Sequence, residues 1–289
     1  MKICIVTAVF GRHDLTKIVL DYYAKLSIDS GLVIPIAVGS EGKESEQLCT
    51  NTGWGYLEYP NQPLSQKFNA LFEATKPHDP DLVILTGSDD LISPEIVQYY
   101  INNVKPTHTN LVGLKDLYFY SISQDQTLYF GGYNSLGYKN APRSIGAGRC
   151  FSREVLERMD FRPWQAEKLN RGLDSSSTKQ MKRRGIGEDI ITMADAGGCA
   201  VDIKHPHVSL TNWKFIHAED RIVANSDIEK HFLPELIACR TLRKNLIFVP
   251  DNTYDVQITD RRHPLFGKIL HVTGKQAINW QERGIIDRP

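Results

Sequence analysis

Two acidic residues, Asp89 and Asp90, stand side by side in TGSDD, directly after the apolar run LVIL at 82–85. A buried strand ending in a turn of small residues presents such a pair at the carboxyl edge of a sheet. Hard carboxylate oxygens on a rigid strand end suit Mg2+ or Mn2+, which keep water ligands and take further oxygens from a diphosphate. Ser88, Asp89 and Asp90 are also ordinary turn formers, so a plain turn is the competing reading. A second chemistry-bearing stretch is cationic: Lys179, Lys182, Arg183 and Arg184 cluster within six positions and favour an anionic ligand nearby. Trp164 and Trp213 offer faces on which a sugar can stack, or two pieces of core.

The elements that must position these residues alternate. KICIVTAVF (2–10) is a short apolar run rich in β-branched residues, and from Asp14, a plausible N-cap, Leu15, Ile18, Val19, Tyr22 and Leu26 recur at helical spacing. LVIPIAV (32–38), GYLEY (55–59), DLVILTG (81–87) and NLVGLK (110–115) read as further strands. An amphipathic helix carries Leu64, Phe68, Leu71 and Phe72, and Pro94 opens another at its N1 position. Strands alternating with helices imply an α/β chain with a mostly parallel sheet covered on both faces, with ligands bound beyond the carboxyl ends of the strands. Past residue 115 the pattern changes. LYFYSI and TLYFGG read as an antiparallel hairpin, Ser152 caps a short helix, a second helix runs from Ser175 to Arg184 with Gly185 as its C′ glycine, and AVDIK (200–204) is a strand. From Ser226 a helix interrupted by Pro234 and the strand NLIFV precede a tail that no pattern places.

The chain has 289 residues, 41% of them hydrophobic and 24% charged, which excludes a disordered or collagen-like polymer and suits one large core. Its 34 basic and 34 acidic residues cancel, so no overall field attracts a polyanion. The zero is uneven, however: residues 1–115 hold 9 basic and 13 acidic groups, and residues 139–184 hold 12 basic against 5 acidic. Five scattered cysteines without a C-x-x-C pair indicate neither a disulfide framework nor a zinc knuckle, and a reducing cytoplasm fits best. No apolar run approaches the 18 or so residues of a membrane span, and the opening apolar stretch is too short for a secretory signal.

In five ordered segments the chain resembles the nucleotide-sugar glycosyltransferases of the GT-A fold, especially the large inverting family 2. The segments are TAVFGR, GSEG, PLSQKFNALFEA, ILTGSDDLISPE and SIGAGRCFSREVLERM, within residues 2–215. The resemblance implies a GT-A, Rossmann-like domain over 1–225, its nucleotide-sugar half at 1–115 and acceptor half at 116–225, with a smaller α+β extension at 226–289. It implies a nucleotide-diphosphate sugar as donor and a divalent metal held by Asp89 with Asp90 beside it, although Gly87 stands where the family's first Asp is usual. Thr7, Ala8 and Arg12 follow the first strand, where the family binds base and ribose. Glu41 lies in the loop after the second, Lys67 and Asn69 match positions near the diphosphate, and Ser88 joins them as a donor-binding residue. A late histidine serves some of these enzymes as a metal ligand; His217 in NWKFIHAED is best placed here, with His205 and His207 as alternatives.

An inverting transfer needs a carboxylate that removes the acceptor hydroxyl's proton. The family places it in Glu-Asp, followed by an arginine-rich helix and a glycine eleven residues on. Asp174 reproduces the helix and the glycine, Gly185; Asp189 in GIGEDI reproduces the dipeptide. Asp174 is favoured and Asp189 stays open, while an Asp ahead of a helix is also an ordinary N-cap, stabilising by about 1 kcal/mol. Compact transferases of this look also occur in viral and phage genomes, which puts a hydroxymethylated DNA base among the expected acceptors, beside a glycan, lipid or protein. Two other functions compete: a nucleotidyltransferase of related fold, and a binding module for sugar or nucleic acid without turnover. Neither the oligomeric state nor the identity of nucleotide and sugar is legible.

Overall fold

The computed structural model describes residues 1–26, 31–133, 143–164, 169–205, 213, 218–246, 253–257, 264, 268–273, 276–277 and 280. Its first part follows the alternation in the sequence: β1 (Lys2–Ala8), α1 (His13–Ala24), β2 (Leu32–Gly39), α2 (Lys43–Asn51), β3 (Gly55–Glu58), α3 (Leu64–Glu73), β4 (Leu82–Leu85), β5 (Asp90–Ile92), α4 (Pro94–Asn103) and β6 (Leu111–Leu114). Strand β1 shows why a continuous apolar run is needed. Ile3 and Ile5 face one side, packing with Leu15 and Val19 of α1. Cys4 and Val6 face the other, packing with Leu71 and Phe72 of α3. Both faces are dry, and each such side chain contributes roughly 1.5–3 kcal/mol by burial. All five cysteines are buried and unpaired.

The remaining strands are β7 (Leu117–Ser121), β8 (Gln126–Phe130), β9 (Arg149–Ser152), β10 (Glu188–Ile191), β11 (Ala200–Lys204), β12 (Ile222–Val223), β13 (Thr253–Gln257) and β14 (Ile269–Thr273). The helices among them are α5 (Arg153–Arg158), α6 (Leu173–Arg183) and α7 (Ser226–Leu246). The main sheet has seven strands in the order β10-β6-β9-β4-β1-β2-β3. All its pairings are parallel except those of β9, which runs against both β4 and β6. The chain lays β2 and β3 on one side of β1 and then returns to place β4 on the other, so a topological switch point lies between β1 and β4. Ligands in open α/β sheets bind at such a point.

A second sheet, β12-β8-β7-β11-β5, stands beside the first. It contains the expected hairpin, β7 against β8, and it pairs β11 antiparallel with β5 so that Asp202 lies opposite Asp90.

Several sequence expectations need adjusting. Helix α1 starts at His13, with Arg12 and not Asp14 at its N-cap, because Gly11 and Arg12 both take positive φ and turn the chain one step earlier. Asp14 sits in the first turn, where its charge favours the helix dipole. Strand β9 was hidden in the glycine-rich SIGAGRC stretch. The first two residues of NLIFV end α7, and the rest lie outside the described residues. Helix α7 breaks its helical geometry at Phe232, two residues before Pro234, which lacks the N–H for an internal bond. Ile228, Phe232, Leu236 and Cys239 of α7 belong to the same core cluster as β1 and α1. The tail contributes the antiparallel pair β13–β14. No helix among the described residues is long and apolar enough to cross a membrane.

Candidate active site

A cavity of about 520 Å³ opens at the switch point. Ala8 and Arg12 from the end of β1, Leu85 to Asp90 from the end of β4, the β7–β8 hairpin and the start of α6 all contribute to its wall.

The carboxylates at its floor are three, not two. Oxygens of Asp89, Asp90 and Asp202 lie within 4.8 Å of one another, close enough to share one ion. Asp202 reaches the cluster through the register of β11 against β5. Asp90 Oδ2 accepts the Gly87 amide at 2.6 Å. Gly87 leaves these carboxylates room: a Cβ there would meet Asp90 Oδ2 at 2.6 Å and Asp89 Oδ1 at 2.8 Å. A side chain at Gly87 would therefore displace the Asp89 and Asp90 carboxylates, and the third carboxylate of the cluster comes from another strand.

Burial, with the charges of Asp202 and Asp89 beside it, pushes the Asp90 carboxyl well above the usual range. Burial likewise raises Asp202, to about 6; the Lys204 ammonium, 2.6 Å from Asp202 Oδ2, opposes the rise and Asp89 adds to it. An acid whose pKa is higher folded than unfolded stabilises the fold below its unfolded value and loses that contribution as pH rises through the folded value. For Asp202 the window runs from 3.8 to about 6. Metal-free protein in EDTA is therefore expected to lose stability between pH 4 and 7 relative to Asp202→Asn. Thermal melts of the two across that range check this; a difference flat in pH would remove the proposed crowding of charge.

Asp174 sits in the first turn of α6 and lines the same cavity. The N-cap position belongs to Gly172, so Asp174 is not the capping residue. The Tyr133 hydroxyl donates to Asp174 Oδ2 at 3.0 Å, and Gly146 is packed so tightly that a Cβ would meet Oδ1 at 2.7 Å. One oxygen is held by Tyr133, then, and the other faces the glycine wall. Fully buried Arg149 fixes the segment from both sides: it donates to the Asp174 carbonyl, to Ser177 Oγ and to the Ser144 and Ile145 carbonyls. Glu188 lies 3.7 Å from Arg149 and accepts the Ser144 amide.

Asp189, the alternative base, is elsewhere. It projects from β10 at the edge of the main sheet, accepts hydrogen bonds from His108 and Asn110, and is not among the cavity-lining residues. The dipeptide Glu188-Asp189 therefore supports the site through Glu188 and Arg149, not through a carboxylate in the cavity.

The residues expected at the donor divide. Arg12 pairs with Asp89 at 2.8 Å and donates to Ser88 Oγ at 3.2 Å, so it serves the carboxylate cluster. Lys67 lines the cavity, but its ammonium donates to Val9 O, Ser40 Oγ and Asn61 Oδ1, stitching three loops together. Burial lowers its pKa to about 8, against the opposing charges of Glu41 and Glu58. Three positions do not line the cavity. Thr7 is wholly buried inside β1. Asn69 uses its carbonyl and amide on the Trp164 backbone. Glu41 accepts from the Gly11 amide, His13 and Ser45, bonds that outweigh burial and hold its carboxyl low. Asn69 still matters indirectly, because Trp164 lines the cavity and its indole N–H donates to the Leu173 carbonyl, next to Asp174.

His217 and His207 lie outside the described residues, and His205 is buried away from the cavity wall. Trp213 donates to Gln124 and does not line the cavity either. Sequence reasoning missed Asp202, Tyr133 and Arg149. Only Asp202 left a signal: an acid and an amine two apart in AVDIK point to one face of a strand, where both need a reason to be buried.

No protein-family model matches the chain, and no curated protein matches it in sequence. Among solved structures it is similar to GalNAc-T7 with UDP, GalNAc and Mn2+, at a TM-score of 0.46 and 11% identity over 71% of this chain. The match spans 44% of that chain, less than half its length. A mycobacterial protein matches at 0.44 and 14% identity, over 94% of this chain and 83% of the other. S. aureus TarS 1-349 matches at 0.44 and 12% identity, over 66% and 58%.

Proposed function

We propose that the protein is a metal-assisted, inverting glycosyltransferase that moves a sugar from a nucleotide-diphosphate donor to a hydroxyl. The observation that carries this reading is the meeting in one cavity of a three-carboxylate cluster at the strand ends and a separate carboxylate, Asp174, held by Tyr133. Asp89, Asp90 and Asp202 fit a hard divalent cation such as Mn2+ or Mg2+: all three are oxygen donors, and Asp202 Oδ1 is buried with no hydrogen-bond partner among the described residues. Such an ion supplies charge stabilisation for the departing diphosphate.

The protein's own groups do the rest. Asp174 accepts the acceptor hydroxyl's proton as that oxygen forms its bond to the anomeric carbon, while the bond from that carbon to the diphosphate oxygen breaks on the opposite face. Tyr133 keeps the carboxylate oriented, and Arg149 keeps the first turn of α6 in place. On the acceptor side the wall is apolar and aromatic, with Phe119, Leu128, Phe130 and Tyr133, and Lys179, Lys182 and Arg183 are exposed on α6, the helix whose first turn carries Asp174. Stacking faces in the cavity, and exposed cations on the helix whose first turn lines it, suit a base-bearing polyanion, so a hydroxymethylated DNA base is the acceptor we infer.

A thermal-shift screen of nucleotide sugars with and without Mn2+ tests the reading. One donor is expected to raise the melting temperature only with the metal, since ligands that bind the native state stabilise by mass action. Release of pyrophosphate instead of a nucleoside diphosphate would overturn it in favour of nucleotidyl transfer. Stabilisation without metal and without turnover would leave a binding module.

A further inference from the structure

Among the described residues, each carboxylate of the cluster is held through one oxygen. Asp89 Oδ1 is 2.8 Å from the Arg12 guanidinium, Asp90 Oδ2 accepts the Gly87 amide, and Asp202 Oδ2 lies 2.6 Å from the Lys204 ammonium. Two of these three holding groups are cations. Orientation alone would be served as well by an amide or a hydroxyl, neither of which repels a divalent ion. Here the repulsion is little screened, because the side chains are 10% exposed at Arg12 and 5% at Lys204.

The charge count gives the two cations a purpose. With all three carboxylates ionised, as binding a cation requires, Arg12 and Lys204 leave the cluster with a net charge of −1, and a divalent ion reverses that to +1. A positive cluster attracts a diphosphate. Without Arg12 the metal-loaded cluster would be neutral, and without both cations it would repel its ligand. Arg12 also lines the cavity, whereas Lys204 does not.

Resting on the reading of this cavity as a metal and diphosphate site, we propose that Arg12 and Lys204 are built-in counter-cations with divided roles. Arg12 holds metal affinity down while Asp89 is its partner and turns its charge to the diphosphate once the metal is seated. Lys204 stays on Asp202. The ligand class is a nucleoside diphosphate, free or sugar-linked. Metal and diphosphate then strengthen each other's binding through Arg12, and such coupling is reciprocal.

Arg12→Gln keeps most of the length and a hydrogen-bond donor but removes the charge; Arg12→Lys keeps the charge. Mn2+ binding is measured without nucleotide by electron paramagnetic resonance of free Mn2+. Binding of the common nucleoside diphosphates is measured by calorimetry in saturating Mn2+, and melting curves verify folding. Arg12→Gln is expected to bind Mn2+ about fivefold more tightly and the preferred diphosphate about tenfold more weakly, within the usual range of coupling, with Arg12→Lys close to the parent on both. Weaker Mn2+ binding by Arg12→Gln would show that Arg12 only orients Asp89 and would overturn the proposal, as would no change in either constant. Parent protein that binds neither Mn2+ nor any of the diphosphates would sink the reading of the cavity itself. Normal parent binding with an unchanged Arg12→Gln sinks the counter-cation role alone.

Discussion

Asp174→Asn is expected to slow sugar transfer by roughly 10²–10⁴-fold, the usual contribution of a positioned general base, with Mn2+ and nucleotide binding intact. The substitution keeps the shape of the side chain and its place beside Tyr133 but removes the oxygen that takes the proton. Little else should change. Asp174 is in the first turn of α6 without being its cap, so the lost interaction with the helix dipole costs only about 0.3–1 kcal/mol. The matched control is Asp189→Asn, which disturbs His108 and Asn110 on the sheet edge and should leave transfer near the parent rate. Single-turnover transfer with donor saturating compares the two directly. A silent Asp174→Asn beside a dead Asp189→Asn would move the base to β10 and undo the assignment made from the cavity.

How far the sequence carries depends on the range of the interaction. Most strands and helices up to Leu114 are legible because each is a local pattern: continuous apolar runs for strands buried on both faces, helical spacing for the layers over them. Helix α2, which buries only Ser45 and Cys49, and the three-residue β5 carry no such pattern and are not legible. The end of β4 is legible too, since a turn of small residues after LVIL can only project its side chains past the sheet edge. Asp202 is different. Its place in the cluster depends on the register of β11 against β5, a pairing between distant segments that no local pattern encodes. Arg12 and Asn69 show the same limit from the other side. Both occupy positions that the family resemblance marks for the donor, yet one pairs with Asp89 and the other locks Trp164. Residue type and order locate a site; which of its polar atoms remain open to a ligand is decided by neighbours that arrive from elsewhere in the chain. The neutral total charge hid the same division, since the carboxylate cluster lines the cavity while the basic residues of α6 are exposed outside its lining.

Gly87→Asp restores the acid that the resemblance makes usual at that position, and it is expected to weaken Mn2+ binding on the order of 10–100-fold, the cost of disturbing groups that orient metal ligands. The reason is steric before it is electrostatic. A Cβ at this position would approach Asp90 Oδ2 to 2.6 Å and Asp89 Oδ1 to 2.8 Å, closer than real Cβ contacts come. Both obstructing atoms belong to the short side chains of the proposed ligands themselves, so relief of the clash must move the carboxylate cluster. A fourth carboxylate would also join three that burial already crowds, with Asp90 and Asp202 both raised in pKa. Gly87→Ala separates the effects, because it carries the Cβ without the charge and should account for most of the loss. Asp202→Asn should reproduce the loss by removing a ligand and leaving the turn intact. Mn2+ affinities of the three variants decide the matter: tighter binding by Gly87→Asp would mean that the cluster has room for the usual acid and that Asp202 does not stand in for it.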